Sequence, residues 1–224
     1  MSDARLAELR AAFEAAADPA RGAEMRRYMR GLFPYLGLRA PERRVAQREW
    51  VRRFRDAPID EVLSAADACW AEPEREFQYA GADMLRAHAG EVEPEHLPRV
   101  RRLIELGAWW DVVDTLAPHV VGNLVARRPA VLAELDRWVV DDDVWVIRSA
   151  IIHQLAYGER TDTSRLFGYC ERQAEHPDFF VRKAIGWALR QYARVDRSAV
   201  LLFVQAHDRR LSRLSVREAT KHLC

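Results

Sequence analysis

The run Trp109-Trp110-Asp111-Val112-Val113-Asp114, with Trp187 far downstream, holds the residue types best suited to chemistry. Trp110 and Asp114 are four residues apart, which on a helix puts them on one face, one turn from each other. An indole face attracts a cation through its quadrupole. A carboxylate stabilises positive charge that develops in a transition state. Together they suit a flat, cationic substrate that becomes more positive as it reacts. Each residue also has a plainer reading. A tryptophan is more often core, which is the expectation for Trp109, and an aspartate is more often a surface acid or the partner of an arginine. Asp111 suits the positive end of a helix.

The elements that must position these residues are helical. Apolar residues recur at three and four, and no stretch alternates like a strand for long. The pattern predicts helices near 3–17, 22–34, 41–56, 58–71, 74–89, 94–106, 108–126, 129–139, 142–157, 162–174, 178–194, 196–207 and 213–223. Pro19, Pro41, Pro58, Pro73, Pro94, Pro129 and Pro177 fall near their starts, and Gly37 and Gly107 suit helix ends. Trp110, Trp145 and Phe180 are spaced by 35 residues, as are Arg148 and Lys183. Each repeat is a helix pair whose apolar faces need a neighbour, which predicts an all-α curved solenoid, read as a single domain over 1–224.

The composition, with 49% hydrophobic and 31% charged residues, is that of a globular protein. No apolar run has the length of a membrane span. The N-terminal residues lack a signal-type apolar segment, so a cytoplasmic location without membrane attachment is expected. Cys69, Cys170 and Cys224 form no CxxC, and the histidines form no HExxH. No disulfide, metal or other cofactor is expected.

A net charge of +1 does not announce a polyanion binder, but the charge is clustered. Between Arg26 and Arg55 stand ten arginines against Glu42 and Glu49. A second basic segment holds Arg209, Arg210, Arg213, Arg217 and Lys221 against Glu218. On the repeat, Arg148 and Lys183 would offer charge at regular intervals along one face, as a linear polyanion requires. Tyr28 and Trp50 are expected to pack, and His153 to be structural.

Several stretches, in order and spacing, carry a family resemblance: MRGLFPYLGLRAPERR (29–44), WAEPEREFQYAGADML (70–85), WWDVVD (109–114), DVWVIRSAIIHQL (143–155), FFVRKAIGWALRQYA (179–193) and LSVREATKH (214–222). The chain resembles the AlkD-like DNA alkylation repair enzymes, monofunctional DNA glycosylases built from HEAT-like repeats. The resemblance implies that Asp114 is the catalytic carboxylate and that Trp110 and Trp187 are the aromatic walls of the cleft. It implies Arg148 as a contact to backbone phosphate. Arg43, Arg44, Lys183, Arg190 and Arg217 are further candidate DNA contacts. One departure is Val216 before Arg217, where a second basic residue is common.

The implied reaction is hydrolysis of the N-glycosidic bond of a cationic N3- or N7-alkylated purine in double-stranded DNA, by a monomer. Two other classes share such a scaffold. A noncatalytic binder of branched or damaged DNA needs the arginines but not the carboxylate. A protein-interaction scaffold needs neither.

Overall fold

Helices occupy most of the described residues, 3–221 of the computed structural model, and no strand occurs among them. His222 and Cys224 lie outside the described residues. The chain divides into two units, Met1–Val92 and Glu93–Cys224.

The first unit holds α1 (Asp3–Ala15), α2 (Pro19–Tyr28), α3 (Ala40–Ala46), α4 (Arg48–Arg52), α5 (Ile59–Trp70) and α6 (Arg75–Ala87). Asp18 caps α2, accepting from the Arg21 backbone N–H, with Pro19 at the first helical position. The buried Glu76 of α6 accepts from the backbone N–H groups of Leu36, Gly37 and Leu38 at 3.1, 2.8 and 3.2 Å. This carboxylate ties the 34–38 loop to α6 and so joins two of the stretches that carry the resemblance. Gly37 has φ +95, and a Cβ there would stand 2.1 Å from the Asp18 carbonyl oxygen, so only glycine fits.

The helix expected over 41–56 is interrupted at Gln47, whose ψ of −5 breaks the helical ladder between α3 and α4. Its two faces divide by an offset of one or two residues. Arg43, Gln47, Trp50 and Phe54, spaced 4, 3 and 4, are buried. Arg44, Arg48, Arg52 and Arg55, spaced 4, 4 and 3, are exposed. Trp50 packs on Phe54 as expected, with ring centroids 5.2 Å apart. Tyr28, expected to pack, ends α2 and is 75% exposed.

The second unit holds α7 (Leu97–Gly107), α8 (Trp110–Leu116), α9 (Gly122–Arg127), α10 (Leu132–Trp138), α11 (Val144–Ile152), α12 (Thr163–Arg172), α13 (Phe179–Tyr192), α14 (Arg197–Ala206) and α15 (Arg213–Thr220). The pairs α10–α11, α12–α13 and α14–α15 stack in sequence. Their second members pack side by side, α11 against α8 and α13, and α13 against α15. This is the all-α, solenoid-type stacking of helix pairs that the 35-residue spacing predicts.

The repeat is visible atom by atom. Asp143 caps α11 by accepting from the N–H groups of Trp145 and Val146, and Asp178 caps α13 by accepting from those of Phe180 and Val181. The helix expected over 108–126 carries a π-helical turn, Ala117–Val121, between α8 and α9. Pro118 has no N–H and would clash with the carbonyl four residues back, at Asp114. The turn widens, and the Gly122 N–H donates to the Ala117 carbonyl, five residues back.

Candidate active site

Of the two adjacent tryptophans, one anchors and one faces outward. Trp109 precedes α8 in extended conformation, and its ring packs on Trp145 (5.6 Å) and Phe180 (4.9 Å), which pack on each other at 4.7 Å. This cluster joins the N-terminal ends of α8, α11 and α13. Trp110, the first residue of α8, lines a cleft of ≈ 280 Å³ with Asp114, Arg148, Phe179, Phe180, Lys183, Trp187 and Arg190. Three neighbouring helices of one layer therefore bring together both expected tryptophans, the expected carboxylate and three of the expected cations.

Asp114 and Arg148 form the polar centre of the cleft. The Arg148 Nε and Nη2 donate to Asp114 Oδ1 and Oδ2, each at 2.8 Å, in the two-pronged geometry of guanidinium and carboxylate. Arg148 Nη1 donates to the Phe180 carbonyl oxygen at 2.7 Å, which fixes the guanidinium from a third side. Its carbon lies 5.8 Å from the Trp187 ring centroid. Side-chain exposure is 3% for Arg148 and 17% for Asp114. Burial raises the Asp114 pKa above the ordinary aspartate value, against the opposing pull of Arg148.

Several of the expected cations sit deeper than a surface contact requires. Arg148 is buried at the back of the cleft it lines, where it holds Asp114 and the start of α13. Arg43 is also buried, donating to Asp83 at 3.1 Å and lying over the Tyr79 ring at 4.9 Å, because it falls on the inward face of α3. The regular array of Arg148 and Lys183 is not repeated at the surface, since Arg148 is buried while Lys183 keeps 39% side-chain exposure and pairs with Glu218 of α15 at 2.8 Å. Arg190 pairs with the same carboxylate at 2.7 Å. Arg44 and Arg217 are exposed. His153 is structural: it is buried, its Nδ1 meets the Ala150 carbonyl oxygen at 2.7 Å, and burial lowers its pKa to about 4.

The features not anticipated are Phe179 and Phe180 on the cleft wall, Glu218 behind it, and the gathering of Arg44, a candidate contact from the basic 26–55 segment, with four other arginines around one groove of the first unit. Arg44, Arg48, Arg52, Arg55 and Arg86 line an open groove of ≈ 980 Å³. Its acids are already paired, Asp83 with Arg43 and Gln47 and Glu91 with His88. The 4, 4, 3 spacing of four of these arginines was the available signal. Cys69 and Cys170 are free and buried, and burial pushes both thiols up. No group of His, Cys, Asp or Glu among the described residues is arranged to hold a metal ion, and no helix among them is long and apolar enough to cross a membrane.

Comparison with known proteins places this architecture. The family model described as DNA alkylation repair enzyme matches residues 9–223. The chain belongs to that family. Membership supports a role in DNA repair and agrees with the resemblance carried by the WWDVVD and KAIGW stretches. Among solved structures, a predicted DNA alkylation repair enzyme from Enterococcus faecalis superposes with a TM-score of 0.86 at 27% identity, covering 93% of this chain and 97% of that one. No curated protein matches the chain.

Proposed function

We propose that the protein is a monofunctional DNA glycosylase that hydrolyses the N-glycosidic bond of cationic N3- or N7-alkylated purines in duplex DNA and leaves an abasic site. The observation that carries this reading is a largely desolvated carboxylate held by a buried, two-pronged arginine in a cleft that two tryptophans also line. A noncatalytic DNA binder has no use for a desolvated carboxylate in its groove. The exposed arginine row of the first unit supports double-stranded DNA as the partner, since phosphate contacts supply much of the affinity for DNA.

Alkylation already makes the base a good leaving group, so little general-acid help is needed. The bond between the anomeric carbon and the base nitrogen breaks, its electron pair leaves with the base, and the base becomes neutral. The sugar carries the positive charge. Asp114 stabilises that oxocarbenium-like sugar, and Trp110 and Trp187 pack against the deoxyribose. A carboxylate has about four lone-pair sites, and Arg148 occupies two of them. The others are available to orient the attacking water and to accept its proton. Arg148 keeps the buried carboxylate ionised and aimed, which no solvent-exposed aspartate would need.

The reading is tested by incubating the protein with methylated duplex DNA and measuring the free purines released. Release of N3- and N7-methylpurines by the native protein supports it. Salt-sensitive DNA binding without release would favour the noncatalytic binder, and neither would favour a protein scaffold.

A further inference from the structure

Glu218 of α15 lies behind the cleft wall, buried, and each of its carboxylate oxygens takes a different cation. Oε1 accepts from Lys183 Nζ at 2.8 Å and Oε2 from Arg190 Nη1 at 2.7 Å. Lys183, Trp187 and Arg190 stand at i, i+4 and i+7 on α13 and so share one face. One carboxylate thus pins the cations on either side of the Trp187 indole.

The position of Glu218 is set by backbone packing. Gly186 lets α15 approach α13 so closely that a Cβ there would lie 2.5 Å from Glu218 Cβ and 2.8 Å from the Ser215 carbonyl oxygen. The Ser215 hydroxyl donates to the Arg182 carbonyl at 2.9 Å and locks the same contact. The two cations keep more exposure, 39% for the Lys183 side chain and 23% for Arg190 against 9% for Glu218. An ammonium has three donors and a guanidinium five. Each cation gives one of these to Glu218, and both line the cleft. The two cations also share the cleft with Arg148, and Glu218 offsets their mutual repulsion.

We propose that Glu218 is a positioning residue for phosphate recognition, holding Lys183 and Arg190 on the two sides of Trp187 so that their remaining N–H groups take the DNA phosphates flanking the alkylated nucleotide. The proposal rests on the glycosylase reading for which nucleotide lies between those phosphates. The role of Glu218 in binding is measurable without that reading.

The test is a binding cycle with the full chain and an unmodified duplex, read by fluorescence anisotropy over a range of salt. The variants are Glu218→Gln, the pair Lys183→Ala/Arg190→Ala, and the three combined. Glu218→Gln should weaken binding on the order of tenfold, the equivalent of one charge-assisted hydrogen bond, and lower the salt slope by about one. In the Lys183→Ala/Arg190→Ala background it should add less than about twofold, because the groups it acts through are gone. On an alkylated duplex the half-saturating concentration should rise while the rate at saturation stays close to native. Unchanged or tighter binding by Glu218→Gln would overturn the proposal, as would an equal loss in both backgrounds. If Glu218→Gln fails to fold, Glu218→Asp keeps the charge one methylene back and must bind more weakly than native with a reduced salt slope; native-like binding would overturn the proposal. No base release by the native protein, with the binding cycle as expected, would fail the glycosylase reading and leave the role of Glu218 standing.

Discussion

Replacing Arg148 by glutamine leaves Asp114 a carboxylate without its counterion at 17% side-chain exposure. Three hydrogen bonds go with the guanidinium, two to Asp114 at 2.8 Å and one to the Phe180 carbonyl at 2.7 Å. Breaking a buried ion pair from one side costs about 3–5 kcal/mol, because the remaining charge is uncompensated. For a chain of this size each kcal/mol lowers the melting temperature by about 2–4 °C, so a fall of about 6–20 °C is expected. The sign of the pH dependence follows from the same cause. Burial already raises the Asp114 pKa, and without Arg148 it rises further. A group with a raised folded-state pKa contributes its stability at low pH and loses it as pH rises through that value. The gap in stability between variant and native protein should therefore narrow in acid. Adding Asp114→Asn to Arg148→Gln removes the stranded charge and should recover most of the loss. Thermal unfolding followed by circular dichroism at neutral and acidic pH reads the native protein and both variants. A loss below about 1 kcal/mol, the range of an exposed pair, would refute the reasoning, as would a double variant no more stable than Arg148→Gln alone.

In the proposed mechanism Asp114 works as an ionised group, and its pKa is raised, so the single-turnover rate of base release should fall in acid, through a pH above the ordinary aspartate value of 3.8; a flat rate through that range would contradict the proposal. Changing Arg48, Arg52 and Arg55 together to alanine should weaken binding to any duplex sequence and reduce the salt slope by up to about 2.7, read by anisotropy titration. Gly186→Ala should force α15 away from α13, because its Cβ meets Glu218 Cβ at 2.5 Å. The overpacking cost of about 1–3 kcal/mol should appear in denaturant unfolding.

The fold was readable where local chemistry decides it. The aspartates at 143 and 178 cap their helices with the same pair of backbone bonds, so the 35-residue spacing and two helix starts follow from the sequence alone. The π-helical turn at Ala117–Val121 was missed, although Pro118 carries its cause. The site was readable in part. Trp110, Asp114 and Trp187 meet in one cleft. The arginines were harder to read because their roles depend on facing by a single residue. Arg43 points inward and Arg44 outward on the same helix, and Arg148 is buried only because α8 and α13 flank α11. Sequence spacing gives the charge; tertiary packing decides whether it meets solvent or a carboxylate.

The central claim is that Asp114 performs chemistry in a cleft that binds alkylated DNA. Its most direct test is single-turnover release of N7-methylguanine from a duplex holding one such base, with native protein and Asp114→Asn, alongside their affinities for the same duplex. The native protein should release the base, and Asp114→Asn should do so at a rate about 10²–10³ lower, the loss expected on removing one preorganised electrostatic group, with affinity little changed. Equal rates for the two proteins would contradict the claim, as would no release by native protein that binds the duplex.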